Sequence, residues 1–160
     1  MEHVTSPAVM AGAIVVGVDL SDASAEAVAE AGRLARSTAV PLIIAVNVNV
    51  PERAAIEQVA EAEQRTFDEA GHEVLRRIGA AHAAEVEVVP VLTHRDSPAD
   101  GLLDVVADSE ASMLVVASHG RSGVQRWLLG SVAEKLARAS TVPVLIVPVG
   151  ERKDRRPEPG

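Results

Sequence analysis

Met113-Leu114-Val115-Val116-Ala117-Ser118-His119-Gly120-Arg121-Ser122-Gly123 is an apolar run that breaks directly into a glycine-bracketed turn. The apolar part does not alternate with polar residues, which is the pattern of a strand covered on both faces. Four other runs share it: residues 13–18, 42–48, 86–92 and 144–147, all rich in Val and Ile. Longer segments with helical spacing separate them, and each is long enough for a parallel crossover. The expected fold is α/β: a single doubly wound domain with a five-stranded parallel sheet and helices on both faces.

The helical segments carry readable start signals. Ser21 or Asp22 can cap the first helix, whose apolar face reads as Ala25, Val28, Ala29 and Gly32. The second follows Asn49-Val50-Pro51 and carries a stripe of Ile56, Val59, Ala60, Phe67, Ala70, Val74 and Ile78. Its acidic run from Glu57 to Glu73 reads as a solvated face. The third opens with Ser97-Pro98-Ala99-Asp100, a cap followed by proline at the first helical position. Leu102, Leu103, Val106 and Ala107 form its expected buried side. The fourth starts at Ser131, with Val132, Leu136 and Ala139 spaced about a turn apart.

Composition narrows the possible functions. The chain has 160 residues, 48% of them hydrophobic, with one Phe, one Trp and no Tyr, so Val, Leu, Ile and Ala must build the core. A net charge of -8 argues against a nucleic-acid polymer, whose binding relies on clustered Lys and Arg. The absence of cysteine excludes disulfides, thiolate metal sites and Cys nucleophiles. No stretch reaches the roughly 20 apolar residues of a membrane span. The run from Ala8 to Val18 lacks the basic segment that opens a signal peptide. Together these features predict a soluble cytoplasmic protein. Residues 1–12 read as a flexible leader, 13–149 as the domain, and 150–160 as a disordered charged tail.

In an open parallel sheet the ligand lies beyond the carboxyl ends of the strands. Two exits stand out: Val18-Asp19-Leu20-Ser21, and Ser118 through Gly130-Ser131. Gly120, Gly123 and Gly130 let backbone N–H groups approach an anion, and a helix starting at Ser131 adds free N–H groups and a positive dipole end. The same residues also read as a glycine turn followed by a serine cap. Asp19 in turn reads either as a ligand contact or as a cap or turn acid.

The stretch 114–123, with Leu128-Leu129-Gly130-Ser131-Val132-Ala133-Glu134, Val142–Pro148, Ile14–Asp19 and Ser97-Pro98-Ala99, resembles the universal stress protein (UspA) family over about residues 13–148. Its ATP-binding members carry glycine, two residues, glycine, nine residues, then glycine with serine or threonine. Gly120, residues 121–129 and Gly130-Ser131 match the second half, while Ala117 stands where the first glycine is expected. That methyl is tolerated if φ is negative and obstructive if it is positive.

The resemblance implies strand order 3-2-1-4-5 and a nucleotide site, ATP foremost, with or without Mg2+. It assigns Asp19 to the ribose or base, Val46 to the adenine pocket, and Val116 and Ala117 to the base and sugar. Gly120, Gly130, Ser131 and Val132 fall at the phosphates, and Arg121 and Ser122 are added from position alone. It further implies a stress-response regulator and a homodimer paired through residues 143–148. The alternative is a dimer that binds no nucleotide and acts through protein contacts. Slow ATP hydrolysis is not indicated, because no acid–base pair or phosphate-loop lysine is evident. His119 reads as a loop histidine, and His94 with Asp96 is too few ligands for a metal. Ser122 misses a hydrolase elbow by one residue. Trp127 covers either the loop or a dimer surface.

Overall fold

The computed structural model describes residues 10–48, 61–119 and 129–149. The elements run β1 (Ile14–Val18), α1 (Asp22–Thr38), β2 (Leu42–Asn47), α2 (Glu61–His82), β3 (Val88–Thr93), α3 (Pro98–Ser109), β4 (Met113–Ala117), α4 (Ser131–Ala139) and β5 (Val144–Val147). All five strands are parallel, in the order β3-β2-β1-β4-β5. Fold class and strand order are those expected from the sequence. The third strand is displaced, running Val88–Thr93 rather than residues 86–92.

The central strand β1 is buried along its whole length. Its side chains alternate between two apolar layers. Ile14, Val16 and Val18 join α1 and Leu75 of α2, while Val15 joins Leu102, Val105 and Val106 of α3 and Leu136 of α4. Two-sided burial is why these strands read as unbroken apolar runs.

Two caps form as the sequence predicts. Ser21 caps α1 and accepts from the Ser24 N–H; Ser97 caps α3 and accepts from the Asp100 N–H, with Pro98 in the first turn. The helix faces are rotated from expectation. In α1 the buried residues are Ala23, Ser24, Ala27, Val28, Ala31, Gly32 and Ala35, and Ala29 is exposed. In α2 Leu75 is fully buried, while Val74 is 42% exposed. Ala107 and Ala139 also face solvent, and Val105 and Ala133 take the buried places. Ile56, Val59 and Ala60 lie outside the described residues, as do residues 1–9 of the expected leader and the tail 150–160. Met10 and Gly12 donate their N–H groups to the carbonyls of Ser109 and Glu110 at 3.2 and 3.1 Å.

The two sheet edges differ. On β3, Leu42 N–H donates to Glu87 and Val48 N–H to Thr93, so the odd-numbered residues face β2 and Val88, Pro90 and Leu92 turn their backbone outward. Pro90 lacks an N–H and blocks that edge at its middle. On β5, Leu114 N–H donates to Pro143 and Ser118 N–H to Val147, which leaves the N–H and C=O groups of Val144 and Ile146 pointing outward.

A cleft where β1 and β4 part

β1 and β4 pair only at Ile14↔Met113, Val15↔Leu114 and Val16↔Val115, whereas β1 and β2 stay in register through Val18↔Val46. Beyond Val16 the seam opens. This is where crossovers leave the sheet in opposite directions, which is where open α/β sheets form a crevice. A cleft of about 760 Å³ lies there, within the size range of small-molecule sites.

Of the residues expected at a ligand site, Asp19, Val46, Val116, Ala117, Gly130, Ser131 and Val132 all line this cleft. Gly120, Arg121 and Ser122 lie outside the described residues. Val46 is only 8% exposed, and its side chain belongs to the layer with α1.

At one end stands the start of α4. Gly130 is its N-cap and offers no side-chain cap hydrogen bond. The serine cap considered from sequence is therefore absent: Ser131 is the first helical residue, and the first-turn N–H groups have no capping oxygen from it. Gly130 N–H donates to the Ser118 carbonyl at 2.7 Å, clamping the helix start against the exit of β4. A Cβ on Gly130 would fall 3.1 Å from that carbonyl oxygen and 3.2 Å from His119 Cα. Space, not dihedral angle, favours glycine here, since its φ is -60°. Ser118 Oγ accepts from Val149 N–H at 3.1 Å and lies 3.1 Å from His119 Nδ1.

Ala117 poses no backbone problem. Among the described residues, the non-glycine ones with positive φ are Leu20, Ala39, Glu85 and Glu110, so Ala117 is held in ordinary strand conformation. Its side chain packs with the α1-side layer, whereas Val116 packs with the α4-side layer.

Asp19 lines the cleft and acts as the turn acid expected of it. Its Oδ1 accepts from the Ser21 N–H at 3.0 Å and from the Ser21 and Ser24 hydroxyls, and its own N–H donates to Ser24 Oγ at 2.9 Å. The two serines fix the carboxylate at the rim while helping to start α1. Asp19 is thus both a turn acid and a cleft residue.

Sequence reasoning missed Asn47. Its Oδ1 accepts from Thr93 Oγ1 at 2.8 Å and from Arg95 N–H at 2.9 Å, and its Nδ2 donates to the Arg95 carbonyl at 2.9 Å. This fastens the β3–α3 corner, whose Pro98 and Leu102 form a cleft wall. A polar residue closing an apolar strand was the available signal. Lys135 bridges the same corner to α4, with Nζ 2.9 Å from Asp100 Oδ1 and 3.2 Å from Ser97 Oγ. The hydrogen bond and charge of Lys135 hold the Asp100 carboxyl below the usual carboxylate range.

Residues 10–148 match the model of the universal stress protein family. A universal stress protein of Mycobacterium tuberculosis is 31% identical over 140 residues, covering 84% of this chain and 94% of the relative. A solved universal stress protein in complex with cAMP is 33% identical, with a TM-score of 0.59 over 88% of this chain and 99% of the other. The Archaeoglobus fulgidus universal stress protein in complex with dAMP shares the fold at 22% identity, with a TM-score of 0.59 over 86% and 98% of the two chains.

Proposed function

This chain belongs to the universal stress protein family, and from that premise we propose that it is a stress-response regulator that binds a nucleotide, ATP foremost, in the cleft between β1 and β4. The observation that carries this reading is the uncapped start of α4. N–H groups that Gly130 leaves without a side-chain cap, at the positive end of a helix dipole, suit a phosphate. Gly130 lets the phosphate approach without a side chain in the way. Asp19, held by Ser21 and Ser24 in the cleft lining, suits a ribose hydroxyl or an exocyclic amine. The cAMP and dAMP complexes of the two solved relatives support a nucleotide as ligand class.

Gly120 completes the phosphate end by resemblance, and Arg121 and Ser122 are added to it from their position alone. Among the described residues no group of three or more His, Asp or Glu could hold a metal, so Mg2+ would come with the triphosphate, bound mainly through its oxygens. The role is binding, not turnover. No helix among the described residues is long and apolar enough to cross a membrane, and the compartment we propose is the cytoplasm. We further propose a homodimer through the last strand, because Val144 and Ile146 turn their backbone groups outward where the β3 edge is blocked by Pro90.

Native mass spectrometry of protein purified without added nucleotide tests the reading, followed by calorimetric titration with ATP, ADP, AMP and cAMP. A retained nucleotide mass or a saturable heat is expected. An empty protein giving no heat would favour the alternative, a dimer acting through protein contacts alone.

A further inference from the structure

Leu20 departs from two rules at once. Its φ is +64°, a region that leucine seldom adopts and that glycine, asparagine and aspartate fill more easily. Its side chain is 48% exposed and packs in neither apolar layer of the domain. Folding gains nothing visible from it: the backbone is strained and the hydrocarbon lies in water. Yet Leu20 lines the cleft, directly after Asp19 and facing the same opening as Val48.

We propose that Leu20 is a specificity-determining residue that covers the flat apolar face of the nucleotide base. The inference rests on the nucleotide reading above and adds what the base end selects. The left-handed turn after Asp19 sets Leu20 in the lining of the cleft, with about half of its hydrocarbon side chain exposed. A hydrocarbon cover makes no hydrogen bond, so it rewards area. Purines, with two rings, gain more from it than pyrimidines. Hydrogen-bond discrimination is left to neighbours such as Asp19.

The test compares Leu20→Asn and Leu20→Met with the unsubstituted protein, using calorimetry with adenosine, AMP and ATP, alongside thermal melting. Asparagine accepts the positive φ, so the melting temperature should hold or rise. All three ligands should bind about tenfold more weakly, by the same factor, because they share only the nucleoside. Methionine should keep most of the affinity by restoring the cover. Unchanged affinity in Leu20→Asn would overturn the proposal, as would a loss confined to ATP. An unsubstituted protein that binds none of the three ligands would overturn the nucleotide reading itself, and this inference with it.

Discussion

Gly130 N–H and the Ser118 carbonyl, 2.7 Å apart, join the start of α4 to the end of β4. The two segments that would hold the phosphates and the sugar are thereby fixed relative to each other before any ligand arrives. Such preorganisation lowers the ordering cost of binding.

Gly130→Val should break that relationship. The added side chain would press on the Ser118 carbonyl and on His119, so the contact between α4 and the exit of β4 should loosen. The expected cost is about 1–3 kcal/mol of stability and at least a tenfold loss of ATP affinity, with adenosine binding changed much less. Paired calorimetry with ATP and adenosine reads the contrast, and an equal loss for both would place the defect elsewhere.

Asn47→Ala should loosen the β3–α3 corner. Three hydrogen bonds to Thr93 and Arg95 disappear, at a cost of about 1–3 kcal/mol. The Arg95 amide should exchange with deuterium faster than amides of the central sheet. Asn47→Asp should fall between the two, keeping the acceptor contacts but turning a carboxylate toward the Arg95 carbonyl.

The Asp100–Lys135 pair gives a pH prediction with a definite sign. The folded pKa of Asp100 is depressed, first by its hydrogen bond to Lys135. Its contribution is therefore present above the unfolded aspartate pKa and lost as pH falls through the lower folded one. A carboxyl-detected titration should show Asp100 with an acid-shifted midpoint, and Lys135→Ala should move it back up. The effect on melting temperature should be small and fade with salt, since both side chains are about half exposed.

Ile146→Arg should test the last-strand dimer. Its backbone groups face outward and its half-buried side chain packs beside Val132 and Val144 on the α4-side layer. Light scattering should report monomer or poorly soluble protein. An unchanged mass would count against pairing through this edge.

Sequence pattern was enough to read the strands, their order by resemblance, and the caps at Ser21 and Ser97. It was weaker on helix phase. In α1, alanine occupies positions 23, 25, 27, 29, 31 and 35, so several faces look equally apolar and the chosen one came out about a quarter-turn away. In α2, adjacent Val74 and Leu75 compete for the core, and packing beneath Gly71 and Gly79 settles it for Leu75. The site showed the same division. That Asp19, Gly130 and Ser131 line the cleft was legible because motif and position agree. Asn47 was hidden because its partners lie 46 to 48 residues away. Leu20 was hidden because nothing in a leucine announces a positive φ.

The three-pair ladder between β1 and β4 also bears on how the molecule assembles. Its partners lie about a hundred residues apart, so we expect this seam to close late in folding, after the more local pairings on either side of it. A ligand lodged across it would act as a late brace, slowing the parting of the two halves more than it speeds their joining. Occupancy would then be written into the lifetime of the folded chain, and protease resistance over hours would report it even where the resting structure barely changes.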